Sequence, residues 1–332
     1  LCAVHPDPAV SAAGPVRAEA DMIEAREIQG VVVVAIVLLI AAALPYYGSD
    51  YLLSLGITIA MFTALATSWA LFSGPTHYIS LATAAFFGLG TYTTGLGFET
   101  LPFWVLIPLA GILGAALAAL VGLATLRLSG VYFVIFTLGL AELIRQVITW
   151  AQNMTGQKGL YVLTDFTEGN LYQMLVALSG LVFLVGWLIG RSRLGFALRI
   201  IGDDETVAAH SGINTARAKI LLFMVSGAVA AMTGAILAPR YIYIEPALAF
   251  TPLLSFQVVI MALLGGVHRL WGPIVGVIPF TLILETISAN FPNQVTLFIG
   301  IVFLIIVYFI PRGFAGLIEK LRHWSQAREG LA

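Results

Sequence analysis

Charged residues are scarce in this chain of 332 residues, and cysteine is almost absent. Asp, Glu, Lys and Arg make up only 10% of the residues, whereas 60% are hydrophobic. The single cysteine, Cys2, excludes an internal disulfide and argues against a cysteine-built metal site. The five histidines are scattered, with no pair at a metal-binding spacing. The chain also lacks a G-x-x-x-x-G-K-[ST] phosphate loop and a nucleophile paired with a base.

Long stretches without any charge dominate what remains. They are Tyr51–Phe98, Leu101–Leu126, Leu171–Gly190, Ile220–Pro239 and Thr286–Pro311. About 20 consecutive apolar residues cross a bilayer core as a helix. Membrane-spanning strands would need alternating apolar and polar residues, which these runs lack. The sequence therefore predicts an all-α, polytopic integral membrane protein.

About ten transmembrane helices fit into the apolar runs. Gly and Pro of the segment Ser73–His77 divide the longest run into two crossings. The predicted spans are 28–47, 51–73, 78–97, 103–126, 131–151, 171–190, 218–239, 250–267, 271–289 and 294–311.

Three regions follow from this layout. Residues 1–27 are polar and predicted to be a disordered tail, within which Met22 is a candidate start. Residues 28–312 form the transmembrane domain, and 313–332 form a C-terminal tail. Alternatively, Val31–Leu44 is a cleaved signal peptide, although an acidic segment precedes it where a basic one is usual.

Basic residues fall mainly on one side of the predicted membrane. With ten spans, 13 of the 16 Lys and Arg residues lie on the side that holds both termini. The three basic residues that do not lie on this side are Arg145, Lys158 and Arg240. Because positive charge is retained in the cytoplasm, we expect both termini to be cytoplasmic.

The polar stretch "GDDETVAAHSGINTARAK" lies in the longest cytoplasmic loop, residues 191–219. Asp203 is predicted to cap a short helix whose first turn carries Asp204 and Glu205. Gly212 is a natural stop in the left-handed conformation. The helix would present a small, shallow face formed by Thr206, Ala209, His210 and Ile213. The alternative is a solvated turn between two membrane helices.

This loop resembles that of the permeases of branched-chain amino-acid ABC transporters, including their urea-type relatives. The matching stretch is "RSRLGFALRIIGDDETVAAHSGINTARAK". Three further segments resemble the same family, namely "ISLATAAFFGLGTY", "LRLSGVYFVIFTLGLAELIR" and "LLGGVHRLWGPIVG". Together the similarities extend over roughly residues 30–320.

The resemblance implies a permease subunit that imports branched-chain amino acids or similar small polar solutes, such as urea or amides. The loop would be the coupling helix that inserts into an ATPase, through Asp203, Asp204, Glu205, Ala208, Ala209, Gly212, Ile213 and Asn214. Expected partners are two cytoplasmic ABC ATPases, a homologous second permease, an extracytoplasmic binding protein and the lipid bilayer, but no nucleic acid. No cofactor is expected in this chain, because ATP would be hydrolysed by the partners.

Substrate-pathway candidates lie in the membrane. They are Ser80, Thr83, Phe86, Phe87, Gly88, Tyr92, Thr137 and Glu142. The first six follow the helix break, where exposed backbone groups at depth either line a cavity or are buried in protein. Glu142 and Arg145 share a helix face and could pair. A structural ion pair and a pathway role are equally open for them.

Two other functional classes remain open. A self-sufficient secondary transporter or channel usually carries its coupling charges in the membrane, where this chain has little beyond Glu142 and Arg145. An intramembrane enzyme would require a nucleophile–base pair or a metal cluster. The sequence does not reveal the cargo or whether two copies pair. It favours a bacterial inner-membrane permease over both alternatives.

Overall fold

The chain folds into a bundle of long α-helices in a computed structural model. The structure describes residues 40–125, 130–156, 159–162 and 166–309. Within these ranges, seven helices are long and apolar enough to cross a membrane. This confirms the predicted all-α polytopic membrane protein. The predicted tails at 1–27 and 313–332 and most of the first span lie outside the described residues.

The described part of the chain contains thirteen α-helices whose bounds the structure gives in full. In the first half they are α1 (Leu44–Tyr47), α2 (Asp50–Thr76), α3 (Thr83–Gly97), α4 (Phe103–Thr125), α5 (Val131–Thr155) and α6 (Glu168–Arg191). In the second half they are α7 (Arg193–Asp203), α8 (Glu205–His210), α9 (Thr215–Leu237), α10 (Pro246–Ala249), α11 (Pro252–Gly265), α12 (Gly272–Asn290) and α13 (Val295–Phe309). Short 3₁₀ turns occupy Ala238–Tyr241 and Pro292–Gln294.

The long helices coincide with nine of the predicted spans. They are α2 to α6, α9 and α11 to α13, with ends that differ by a few residues from the predicted ones. Side-chain caps fix several helix starts: the Ser49 hydroxyl accepts from the Leu52 amide, and the Thr167 hydroxyl accepts from the Asn170 amide. The charge-free runs therefore predicted these helices correctly.

The predicted break between the first two described spans is displaced. Helix α2 continues through Pro75 to Thr76, and the non-helical segment is His77–Ala82, which we call the break. Pro75 lies in the last turn, where its missing amide costs a single helical hydrogen bond. The C-cap residue is His77, which adopts the left-handed conformation and donates its amide hydrogen to the Ser73 carbonyl.

Helix α9 forms the centre of the bundle and packs against α2, α3 and α4. Close approach to α3 depends on glycine. A Cβ atom added at Gly90 would lie 1.8 Å from the carbonyl oxygen of Ala231, and one at Gly234 would lie 2.0 Å from that of Phe87. Small residues let membrane helices approach in this way without a gain from water exclusion. The two helices thus contact each other through their backbones.

The two ends of the bundle are built differently. At the sheet end, β1 (Leu160–Tyr161) pairs antiparallel with β2 (Tyr243–Ile244) and joins the loops that follow α5 and α9. There Arg240 contacts Glu168 at 3.7 Å and donates to the Ser54 hydroxyl at 2.7 Å. At the loop end lie α7 and α8. Most described basic residues lie at the loop end, as the sequence predicted.

Candidate functional site

The break is held by side chains from helix α2. The indole Nε1 of Trp69 donates to the Ser80 carbonyl at 2.7 Å, and the Ser73 hydroxyl donates to the Tyr78 carbonyl at 2.7 Å. The Thr76 hydroxyl accepts from the Tyr78 amide at 3.4 Å. Backbone carbonyl and amide groups that make no helical hydrogen bond thus bind side chains of the protein in place of water.

Helices α5 and α11 complete this support. The Leu81 amide donates to the Thr137 hydroxyl at 3.0 Å. The Ser255 hydroxyl donates to the Leu81 carbonyl at 2.8 Å and accepts from the Ala84 amide at 2.9 Å. Ser255 thereby satisfies an amide in the first turn of α3, which has no helical partner of its own. The part of the break from Ser80 to Ala82 is thus buried and hydrogen-bonded inside the protein, whereas His77 and Ile79 are exposed.

The short helix α3 and the break make one crossing together. Fifteen residues span only about 22 Å as a helix, which is less than the roughly 30 Å of a bilayer core. The non-helical segment from His77 to Ala82 adds to this length. This explains why the apolar run is long enough for a full span although its helix is short.

Most of the predicted pathway residues are buried between helices of this chain. Ser80, Thr83, Phe86, Phe87, Tyr92 and Thr137 are each at most 6% exposed. Gly88 is buried against Phe250, whose ring carbon would lie 2.3 Å from an added Cβ atom. Tyr92 lies further toward the sheet end, where its hydroxyl accepts from Gln152 at 3.3 Å. The structure brings Ser80 and Thr137 together at the break.

Two residues that hold the break, Trp69 and Ser255, were not singled out by the sequence, and Ser73 was named only as the start of the predicted break. Ser255 is fully buried within α11, whose sequence is otherwise almost entirely apolar. A lone hydroxyl in such a helix is a signal that a tertiary partner is needed. Its partner is more than 170 positions away along the chain, so the sequence alone does not reveal it.

A polar strip runs along helix α5. It comprises Glu142, Arg145, Gln146, Thr149 and Asn153, which share one face of the helix. The predicted pair is present: Arg145 Nε donates to Glu142 Oε2 at 2.8 Å. Gln146 donates to the other carboxylate oxygen of Glu142 at 2.8 Å. The Glu142 carboxylate is therefore bound by two neighbours on its own helix.

This strip is only partly covered by the chain. The side chain of Glu142 is 45% exposed and that of Arg145 is 31% exposed. In the most apolar 18-residue stretch of α5, 22% of the residues are buried, compared with 67% in that of α2. Glu142 lies about 16 Å along the helix from Val131, near its middle. Helix α5 therefore presents exposed charge at mid-bundle depth.

The 191–219 loop contains two helices. The Ser192 hydroxyl accepts from the Gly195 amide and begins α7, which extends to Asp203. The N-cap of α8 is Asp204, whose Oδ1 accepts from the amides of Thr206 at 2.7 Å and Val207 at 3.2 Å. The prediction of Asp203 as the cap is therefore wrong by one residue, because α7 extends to that position.

The capping bonds from Val207 and Thr206 hold the pKa of the Asp204 carboxyl below its usual value. The carboxylate is thus ionised at neutral pH and complements the N-terminus of α8. Gly212 has a φ of 80°, as predicted for the stop. The Asn214 side chain accepts from the Arg217 amide and begins α9.

One face of α8 points away from the bundle. Thr206, Ala209 and His210 are exposed, Ile213 is half-buried, and Ala208 is fully buried beneath them. The first residue of α8, Glu205, is tied to the bundle because its Oε1 accepts from Lys219 Nζ at 2.6 Å. The loop end thus carries a small, capped and anchored helix with an exposed face of small and polar residues.

A cavity of about 610 Å³ lies at the loop end, between α2, α6, α7 and the 267–270 turn. His77 and His268 both line it, and their ring centroids are 6.2 Å apart. Arg199 and Asp203 lie at its rim and are exposed. The described residues contain no group of three metal-binding side chains. The loop end therefore carries both a short exposed helix and a cavity.

Comparison with known proteins identifies the family. The model described as "Branched-chain amino acid transport system / permease component" matches residues 51–308. The chain belongs to this permease family. The match begins within α2 and ends within α13, so it includes the break, the polar strip of α5 and the 191–219 loop.

Curated relatives carry related names. LivM of Escherichia coli, a high-affinity branched-chain amino acid transport system permease protein, is 25% identical over 330 residues, which covers 89% of this chain and 76% of LivM. LivH of the same organism is 29% identical over 115 residues, or 32% of this chain and 37% of LivH. The ribose import permease RbsC of Haemophilus influenzae is 24% identical over 193 residues, or 53% and 58% of the two chains. No solved structure gave a significant match.

Proposed function

We propose that this permease is the membrane-spanning subunit of an ABC importer in a bacterial inner membrane, with both termini in the cytoplasm. Its cargo would be a branched-chain amino acid or a similar small polar solute, such as urea or an amide. The family match over residues 51–308 carries this proposal. The loop at 191–219 with its anchored helix α8 supports it, because a subunit driven by a separate ATPase needs a rigid docking element.

The coupling step is assigned to α8 and its flanks. Asp204 and Gly212 fix the two ends of the helix, and the exposed Ala209 offers a side chain small enough to enter a groove. A short helix capped at both ends moves as a unit when it is pushed. The docking set is Asp203, Asp204, Glu205, Ala208, Ala209, Gly212, Ile213 and Asn214, in which buried Ala208 supports the exposed members.

The substrate route is assigned to the polar strip of α5. A charged side chain at the bilayer centre costs about 2.5–3.5 kcal/mol on insertion scales, so it rarely faces lipid. Glu142 and Arg145 are partly exposed on this chain alone. We therefore place a second, homologous permease chain or the water-filled path between the two chains against this strip.

The buried pathway candidates receive a different role. Ser80, Thr83, Phe86, Phe87, Gly88 and Thr137 surround or follow the break and have little contact with solvent. Their burial favours a role in holding the break in shape, with Glu142 as the residue nearest the moving solute. The other candidate for contact with the solute is Tyr92. It lines an apolar groove of about 580 Å³ toward the sheet end.

Reconstitution tests the proposal. The chain should co-purify with two ABC ATPases and a homologous permease. Proteoliposomes that contain this complex should take up labelled leucine only when ATP and an extracytoplasmic binding protein are present. The matched control is the same complex with an ATPase that cannot hydrolyse ATP. Uptake by the lone chain without ATP would instead establish a self-sufficient transporter or channel.

A further inference from the structure

Lys219 lies in an unusual place for a lysine. It is the fifth residue of α9, at the loop end, and only 2% of its side chain is exposed. Lysine is rarely buried to this extent unless its charge is paired. Its Nζ donates to Glu205 Oε1 at 2.6 Å and lies 4.2 Å from the ring centroid of Tyr78.

The two partners of the ammonium group belong to different elements. Glu205 is the first residue of α8, and Tyr78 is the second residue of the break. A lysine above an aromatic face is attracted to the partial negative charge of the π-face, and more strongly where water is excluded. Lys219 therefore joins the exposed helix of the loop end to the non-helical segment inside the bundle.

Tyr78 extends this connection further. Its carbonyl accepts from Ser73 of α2, and its ring packs edge-on against Phe133 of α5, with centroids 5.2 Å apart. Phe133 lies on α5, nine residues before Glu142 and fully buried. A displacement of Tyr78 therefore acts on the helix that carries the polar strip.

We propose that Lys219 is a positioning residue that couples the movement of α8 to the break and to α5. This rests on the proposed function, in which an ATPase moves α8. A buried ammonium cannot lose its partners without a penalty. When α8 moves, Lys219 must either follow Glu205 and pull away from Tyr78, or keep Tyr78 and release Glu205. Both changes alter the support of the break.

Replacement of the lysine tests this link in the complete importer, reconstituted in proteoliposomes. In Lys219→Met, an apolar chain of similar length keeps the packing but removes the charge. We expect the ATPases to co-purify and hydrolyse ATP as before, while solute molecules transported per ATP fall by about tenfold, a usual size for coupling between sites. Lys219→Arg retains the cation and should restore most of the transport.

The aromatic partner supplies a matched pair of variants. Tyr78→Phe keeps the ring face and should retain transport per ATP, whereas Tyr78→Leu removes the face and should resemble Lys219→Met. A second readout labels a cysteine introduced at the neighbouring Ile79, which is 42% exposed, in a Cys2→Ser background. Its labelling rate should change with the nucleotide state in the otherwise unaltered chain and not in Lys219→Met.

Two results would overturn the proposal. Lys219→Met with unaltered transport per ATP would show that the link is not used. Loss of ATPase co-purification in Lys219→Met, without rescue by Lys219→Arg, would reduce the residue to a docking or folding role. Failure of the unmutated complex to transport with ATP would instead count against the proposed function, and this control is read first.

Discussion

The buried hydroxyl of Ser255 allows a quantitative test of how the break is stabilised. In Ser255→Ala, the Leu81 carbonyl loses its donor at 2.8 Å and the Ala84 amide loses its acceptor at 2.9 Å. Both groups lie in a region where Leu81, Ala84 and position 255 are at most 5% exposed. The substitution removes one oxygen atom and creates almost no cavity, so the effect comes from the hydrogen bonds.

The expected loss follows from these two groups. A buried backbone group left without a partner costs about 1–3 kcal/mol, so the pair costs about 2–6 kcal/mol, and entry of a water molecule would reduce this. Ser68→Ala is the matched control in α2. The Ser68 hydroxyl is equally buried but donates only to the Leu65 carbonyl of its own helix, at 2.9 Å. That carbonyl lies in a continuous helix and keeps its backbone partner, so its loss should be about 1 kcal/mol or less.

Thermal unfolding of the purified chain in detergent measures the difference. Ser255→Ala should unfold at a clearly lower temperature than the unaltered chain, and Ser68→Ala should unfold close to it. Equal unfolding temperatures for the two variants would refute the reasoning, because the break would then not depend on a hydrogen bond from α11.

Three further predictions use the same preparations. Glu142→Leu leaves the Arg145 charge without its carboxylate partner and should lower expression. The double variant Glu142→Leu with Arg145→Leu removes both charges, so it should recover expression but not uptake. Recovered uptake would show that the polar strip has only a packing role. Asp204→Ala removes the side-chain cap of α8 and should weaken ATPase co-purification, whereas Asp204→Asn keeps an acceptor oxygen and should retain it. Because the pKa of Asp204 is lowered, its capping charge is lost only on the acid side, so the contribution of this cap should stay constant across neutral pH. Gly90→Ala places a methyl group 1.8 Å from a backbone oxygen and should abolish folding. In the control Gly139→Ala, the methyl group meets no described atom within 4 Å, so folding should be unaffected. Expression level and gel filtration measure both variants.

Much of the fold is readable from the sequence, because charge-free runs of sufficient length have few alternatives to membrane helices. The pair of Glu142 and Arg145 was predictable for a similar local reason, since helical spacing fixes which side chains meet. Gly212 was predictable because glycine adopts positive φ without steric cost. Each of these inferences depends only on nearby residues.

The errors arise where adjacent residues compete to end or begin a helix, and the omissions arise where distant parts of the chain meet. Either of two consecutive aspartates could cap α8 by sequence alone. Asp204 is the cap because α7 continues to Asp203. Pro75 suggested the end of α2, but the left-handed residue is His77. The roles of Ser255 and Lys219 depend on partners brought close by tertiary packing, which no local pattern in the sequence records.

Site-specific photo-crosslinking tests the central claim most directly. A photoreactive residue at Ala209, on the exposed face of α8, should crosslink to an ABC ATPase in the assembled complex within the membrane. The same residue at Tyr161, which is 71% exposed at the sheet end, should give no ATPase product. A crosslink from position 161 but none from position 209 would contradict both the membrane orientation and the role of α8 as the docking element.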